Sequence, residues 1–396
     1  MTNLGDNFDV AIAGAGPAGT SAAIHLATQG ARVLLVEQKR FPRPKLCGEF
    51  ISPECLGHFE RLGVADQMVA AGAATLTETV FYSRKGRSVN VPSSWFGASG
   101  RALGLSRAEM DQNLLERAKR AGAVVLENTH ASELIFDRGR VRGLRLKCGS
   151  EITDHHALVT VDATGRTRAL ARKVKSRGKP EHTSRYRLVA FKAHLENAQA
   201  AHGACEIYFY PGGYGGLSSV EGGASNFCFI ATAKDVRRCG SDPEAVIREN
   251  VFRNPRAAYT LAHAKARSEW LSVSLETFGR RKLVPAEGLI AVGDAAAFID
   301  PFSGSGMLIA LESGELAAQT IINQFEALRQ NASFASLARE YRLKYRKRFD
   351  SRLRICSLLR RAAFVPSLAE AAILFFGTST QLRRKVARTT RPSQDE

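Results

Sequence analysis

The sequence predicts an α/β protein: a largely parallel, helix-flanked sheet, a mixed or antiparallel sheet inserted into it, and a helical C-terminus. Three observations predict this. The chain opens with an apolar strand, a glycine loop, a helix and a second apolar strand, the pattern of a βαβ unit. Residues 185–275 change character and read as short strands with glycine-rich turns. Everything after Ser336 reads as basic helix. With 396 residues and 44% hydrophobic content, the chain can bury two cores, and general disorder is excluded.

Taken in order, residues 8–13 form an apolar strand that runs into glycines, and residues 20–29 a helix with a small-residue face. Residues 32–37 carry Val-Leu-Leu-Val and end in an acid. Residues 75–91 read as strands. Residues 107–121 return to helix, with Met110, Leu114, Leu115 and Ala118 at helical spacing. Strands are expected at 123–126, at 134–147 with a turn at 137–139, and at 158–162. The inserted block gives strands at 187–195, 205–210 and 226–232, with the glycine-rich stretch 212–223 as a link between two of them. A buried strand at 289–292 and an amphipathic helix at 309–325 follow.

The glycine loop carries chemistry. Gly14-Ala15-Gly16-Pro17-Ala18-Gly19 fits GxGxxG, follows a strand, opens a helix, and has Glu37 then Gln38 at the end of the next strand. Gly14 allows the tight turn, Gly16 lets a pyrophosphate approach the backbone, and Gly19 lets helix and strand pack closely. The helix N-terminus presents free N–H groups to phosphate. Glu37 suits ribose hydroxyls and opposes a 2′-phosphate, so the dinucleotide is FAD or NAD rather than NADP. A second GxGxxG is absent, which argues against a separate nicotinamide domain.

Bulk features narrow the setting. The N-terminus lacks the basic start and apolar stretch of a secretory signal, and residues 362–377, the nearest approach to a membrane span, are interrupted by Pro366 and Glu370. The expected location is cytoplasmic. Seven scattered cysteines without a CxxC pair suggest neither a disulfide framework nor a metal site. The net charge of +18 is concentrated at residues 339–361 and 383–391. Tyr341, Tyr345, Phe349, Leu353 and Cys356 recur there at helical spacing, and residues 371–376 are apolar. This is either a helix pair lying peripherally on an anionic membrane or one packed on the protein. Recognised nucleic-acid modules are missing, so no nucleic-acid partner is expected.

Residues 289–307, LIAVGDAAAFIDPFSGSGM, resemble the second FAD motif of the aromatic-hydroxylase and geranylgeranyl-reductase superfamily. The resemblance implies a Rossmann-type FAD-binding domain and makes FAD the dinucleotide. Asp294, after Gly293, would contact the ribityl chain. The loop holding Pro301, Gly304, Gly306 and Met307 would lie beside the flavin ring, with its helix aimed at N1 and the C2 carbonyl. A helix N-terminus there would stabilise the negative charge of reduced flavin. Arg107, in Ser-Arg-Ala-Glu-Met-Asp, matches the family's arginine helix near the phosphates and ribityl chain; the plainer reading is a surface arginine in a capping box of Ser106 and Glu109. Asp162 and Gly165 fall in a middle motif that reads Asp-Ala-Thr-Gly-Arg where an Asp-Gly pair is common. That departure weakens a nicotinamide role for this segment.

The run Arg40 to Glu49 contains Pro-Lys-Leu-Cys-Gly and is similar to the loop of geranylgeranyl reductases whose cysteine lies near the ring. Lys45, Cys47 and Gly48 are therefore cofactor-contacting candidates. Cys47 is also a catalytic candidate, with Lys45 and Arg43 favouring its thiolate. Tyr208 and Tyr210, with Tyr214, partly match the reductases' aromatic motif and either line a pocket above the flavin or belong to the sheet core. The tryptophan motif of flavin halogenases is missing, since Trp95 and Trp270 stand far apart.

The function implied is reduction of a C=C bond in an apolar, isoprenoid or polyketide-like substrate by hydride from flavin N5. NAD(P)H or another reductant would be a transient donor. The alternative is a monooxygenase acting through a flavin C4a-hydroperoxide, and a weaker one a non-catalytic FAD-binding membrane protein. Residues 1–75, 100–180 and 276–335 would form the FAD domain, 76–99 and 181–275 the substrate domain, and 336–396 the basic C-terminal region.

Overall fold

The computed structural model describes residues 7–97, 99–174, 188–275, 278–330, 333–364 and 366–389. Strand β1 (Asn7–Ala13), helix α1 (Pro17–Thr28) and strand β2 (Val33–Val36) form the opening βαβ unit. β3 (Glu78–Tyr82) and β4 (Ser88–Pro92) leave it for a second sheet. α2 (Arg107–Arg120), β5 (Val124–Leu126), the hairpin β6 (His130–Asp137) and β7 (Arg140–Cys148), and the long β8 (Glu151–Asp162) return to the first. The second sheet takes β9 (Leu188–Glu196), β10 (Ala204–Tyr210), β11 (Gly213–Ser219), β12 (Ser225–Thr232) and β13 (Leu271–Leu275). β14 (Leu289–Ala291) rejoins the first sheet, and α3 (Gly306–Ile322), α4 (Phe334–Ala363), α5 (Pro366–Thr378) and α6 (Thr380–Thr389) complete the chain.

The first sheet is parallel in the order β5-β2-β1-β8-β14, with β7 and β6 running antiparallel beyond β8. Its register decides where a ligand goes. Ala13 pairs with both Val36 and Asp162, and Asp162 pairs with Ala291. The carboxyl ends of four strands therefore lie level, and each runs directly into one of the sequence motifs. Crevices outside such strand ends are the usual ligand sites of open α/β sheets.

The second sheet runs β9-β12-β11-β10-β3-β4, with β13 on the other side of β9 and a parallel pairing between β10 and β3. Its faces alternate. Phe191, Tyr208, Tyr210, Phe227 and Phe229 share one core, whereas Ala190, Phe209, Tyr214 and Ile230 share another on the opposite face.

Three expectations change. The stretch 212–223 is not a link, because residues 213–219 are a full strand. Gly215 sits where a Cβ would meet the Phe227 and Phe229 side chains at 3.1–3.2 Å, so glycine there serves ring packing. The helix expected at 309–325 starts earlier, at Gly306, and is buried on nearly every side rather than amphipathic. It lies between α1 and α4, and the Ser21 hydroxyl reaches its Leu311 carbonyl at 2.9 Å.

The aromatic stripe of α4 faces protein, not lipid. Tyr341, Tyr345 and Phe349 are fully buried in the main core, and the Tyr341 hydroxyl donates to the Ala291 carbonyl at 2.7 Å. Glu312 of α3 takes Arg352 and Arg348 of α4, and Arg280 pairs with Asp350 at 2.6 Å. The expected strand start at Arg187 and the basic residue Arg391 lie outside the described residues.

Candidate active site

A cavity of about 410 Å³ lies along the level strand ends. Gly14 has φ +104°, and a Cβ there would stand 2.3 Å from the Ala163 carbonyl oxygen, so the first loop seats directly on the middle motif. Gly19 does not reach the cavity. A Cβ on it would fall 1.9 Å from the Gly14 carbonyl oxygen, which places it at the helix–strand contact expected of it. The N-cap of α1 is Gly16, with no side-chain cap and no acid in the first turn, and the same holds for α3 with its N-cap Ser305. Gly16, Pro17 and Ala18 line the cavity from one side and Gly306 and Met307 from the other. Two uncapped helix N-termini thus aim unsatisfied amides at one space.

Cations surround that space. Lys45, Arg107 and Arg166 line it, with Arg43 at the Glu37 end. Burial, then Arg107, Arg43 and Arg166, press the Lys45 pKa down, while Asp294 opposes them. Burial raises the Asp294 carboxyl above its ordinary range against the pull of Lys45, Arg107 and Arg166. Arg107 is held bidentate by Asp111, at 2.8 and 2.7 Å, which fixes its guanidinium beside the glycine loop. It is not a surface arginine. The Ser106 hydroxyl caps α2 by accepting from the Glu109 amide at 3.2 Å, but the Ser106 amide bonds Glu221 rather than closing the box with Glu109.

Glu37 lines the cavity and braces the loop as well. Its carboxylate accepts from the Ala15 amide at 3.0 Å and the Lys39 amide at 3.1 Å. Gln38 lies beside it. Asp162 does not line the cavity. Its carboxylate is spent on Thr164 and on the Ala171 amide, so it shapes the turn that carries Gly165 and Arg166 to the edge. A diphosphate dinucleotide fits this set: glycine turns without Cβ atoms, two bare helix ends, and a cluster of cations interspersed with the Glu37, Glu49 and Asp294 carboxylates.

A second cavity, of about 260 Å³, meets the first at Gly48, Phe50, Cys228, Pro301 and Gly304. Its floor is the face of the second sheet bearing Phe81, Ile207, Phe209, Tyr214 and Ile230. Phe302 packs on Phe81, Phe209 and Tyr214 at centroid distances of 5.7, 5.5 and 5.6 Å. The Tyr214 hydroxyl is bonded to buried Asp300. α5 and α6 form the roof through Ile373, Phe376 and Val386, with Arg383 as the cation among the lining residues.

The sequence-predicted residues divide accordingly. Gly293, Asp294, Lys45, Cys47 and Gly48 line the cofactor cavity with the loop and helix residues already named. Tyr208 and Tyr210 do not line either cavity. Strand alternation turns them to the opposite face, where the Tyr208 hydroxyl bonds Glu206 at 2.6 Å and the Tyr210 hydroxyl bonds the Ile230 carbonyl at 2.9 Å. Their neighbours Ile207 and Phe209 face the pocket instead. Sequence reasoning missed Cys228, Glu49 and Arg166 as lining residues. For Cys228 the alternation of residues 226–232 was the usable signal, once the facing side of that strand was known.

A Rossmann-type sheet whose strand ends build a dinucleotide cradle, opening onto an apolar cavity, defines an FAD-dependent oxidoreductase. The family model described as FAD binding domain matches residues 7–329, and the chain belongs to that family. It is 27% identical over 357 residues to digeranylgeranylglycerophospholipid reductase 2 of Methanopyrus kandleri, covering 86% of this chain and 83% of that protein. It is 28% identical over 333 residues to the menaquinone reductase of Mycolicibacterium smegmatis, covering 78% and 75%. A solved flavin-dependent brominase superposes with a TM-score of 0.80 at 20% identity, covering 97% of this chain and 93% of that one, which is a likeness of fold. Among the described residues no helix is long and apolar enough to cross a membrane.

Proposed function

We propose that this oxidoreductase saturates carbon–carbon double bonds of a long apolar substrate of isoprenoid or polyketide-like character. The observation that carries the reading is the apolar cavity itself, floored by aromatic and aliphatic side chains, which opens into the cofactor cavity where Gly48, Cys228 and Pro301 meet. The similarity to reductases of an isoprenoid phospholipid and of menaquinone supports it. Bound FAD supplies the hydride, and NAD(P)H or another reductant reloads it. The chain's own work is to hold the cofactor by the glycine loop, Arg107 and the α3 N-terminus, and to align an apolar chain against the sheet face while excluding water.

The test loads the protein with FAD, reduces it anaerobically with dithionite, and adds menaquinone or digeranylgeranylglycerophospholipid in detergent. Mass spectrometry should show a gain of two hydrogens per reduced bond. A gain of one oxygen on admission of air, with no hydrogenated product beforehand, would replace this reading with the monooxygenase.

A further inference from the structure

The cavity-facing side of the second sheet is largely apolar, but it carries a buried charged cluster. Lys192 and His194 of β9 stand on that face beside Cys228 and Asn226 of β12, in the register Lys192–Cys228 and His194–Asn226. Their chain neighbours Phe191, Ala193 and Phe227 belong to the opposite core. Directly opposed side chains on antiparallel strands stand about 5 Å apart at Cβ. Lys192 is only 2% exposed, and a buried lysine is costly unless it is paired.

Its partner comes from the cofactor-side loop. The Glu49 carboxylate takes Lys192 Nζ at 3.1 Å and the Arg107 amide at 2.9 Å on Oε1, and His194 Nε2 at 2.6 Å on Oε2. His194 Nε2 also lies 3.0 Å from Lys192 Nζ. Glu49 is 1% exposed, but the His194 side chain is 22% exposed, so the cluster runs from solvent to the interior. At its inner end the loop is tied to β12, because Asn226 Nδ2 donates to the Cys47 carbonyl at 3.2 Å, and the Glu49 amide donates to Cys47 Sγ at 3.4 Å. Cys228 lines both cavities, whereas Cys47 lines the cofactor cavity alone.

We propose that His194, Glu49 and Lys192 form a proton-entry relay that delivers a solvent proton to the thiol of Cys228, and that this thiol protonates the substrate carbon that does not receive hydride. The proposal rests on the reductive reading above. Saturating a double bond adds a hydride to one carbon and a proton to the other. Both electrons arrive with the hydride, from the reduced cofactor. The proton leaves Cys228 Sγ without electrons, leaving a thiolate. Lys192 Nζ returns a proton to that sulfur, and His194 replaces it from solvent while Glu49 stays ionised and holds both donors in place.

The electrostatics agree with the geometry. Burial, then Cys47, push the Cys228 thiol up and keep it protonated, Lys192 pulls it back, and Glu49 adds to the upward push. Burial opposes the charge on Glu49, but His194, Lys192 and the Arg107 amide outweigh it and hold the carboxyl below its ordinary range. Cys47, Lys192 and Glu49 are the titratable groups that act on the Cys228 sulfur, which in turn bears on the buried Tyr210 and Tyr214 hydroxyls.

Two variants of the FAD-loaded protein test this. In Lys192→Met, loss of the neighbouring cation should slow iodoacetamide alkylation of Cys228 at mildly alkaline pH about tenfold, the equivalent of about one pKa unit, with exposed Cys148 as the internal reference. Peptide mass spectrometry reads both sites. His194→Gln sits at the wetter end and tolerates substitution more readily. With the lipids above it should lower kcat about tenfold with KM unchanged, and added imidazole should restore the rate. Unchanged alkylation of Cys228, or a His194→Gln enzyme as fast as the parent, overturns the relay. If the parent enzyme reduces neither lipid, the reductive reading falls on its own, and alkylation still decides whether Lys192 governs Cys228.

Discussion

The cofactor cavity lies at the carboxyl ends of parallel strands, whereas the apolar cavity lies against the broad face of a mostly antiparallel sheet. At the first, each contributing strand ends in a contiguous motif, and glycines and helix N-termini form much of the lining. At the second, each strand gives every other side chain, and no two of the sheet residues that line it adjoin in sequence. Ile207 and Phe209 face the pocket while Tyr208 between them faces away. A site made of strand ends can be read from short words in the sequence. A site made of a sheet face can be read only when the facing side of each strand is known.

The largest effect is expected from the first kind of site. Gly14→Val forces a β-branched residue to φ +104° with its Cβ 2.3 Å from a backbone oxygen. Strain of about 3 kcal/mol at that turn corresponds to about 100-fold weaker FAD binding. Visible absorbance of the purified protein and titration with added FAD measure it. Full flavin content would show that the loop does not carry the diphosphate.

A smaller and opposite pattern is expected at the sheet face. Phe209→Ala removes a ring that packs on Phe302 and Phe81. Flavin content and spectrum should stay as in the parent, while kcat/KM for the lipid falls about tenfold, as loss of part of one aromatic contact predicts. If flavin is lost instead, the two cavities are not separable and the comparison fails.

The legibility of the sequence follows the same division. The glycine loop, Glu37, the Gly-Asp turn at 293–294 and Arg107 were visible because their chemistry demands particular residues at fixed spacing. The parallel character of the first sheet followed from the βαβ opening. What escaped was set by tertiary partners. Asp162 looks like a ligand residue but is consumed by its own turn, through Thr164 and Ala171. The α4 stripe allowed two readings from its sequence, membrane or protein, and its tertiary partners decide for the main core. Glu49 ends a recognised loop but Lys192 carries no motif, and nothing in the sequence pairs them, since they are 143 residues apart, from 49 to 192.

Tyr208→Phe gives the smallest expected effect and the sharpest check on strand facing. Its hydroxyl bonds Glu206, a buried carboxylate that also holds Arg256 at 2.6 and 3.1 Å and the Ala201 amide at 3.0 Å. Burial and Glu206 push the Tyr208 hydroxyl well above its ordinary pKa, so it remains a donor throughout the working range of pH. Removing one donor among several should cost about 1 kcal/mol, a shift of a few degrees in Tm for a chain of this size. Turnover should stay within about twofold of the parent, because a group on the far side of the sheet contributes no direct transition-state contact. A large loss of kcat with Tm unchanged would place the hydroxyl at the reacting carbon. The faces of β10 would then be assigned the wrong way round, and with them the floor of the apolar cavity.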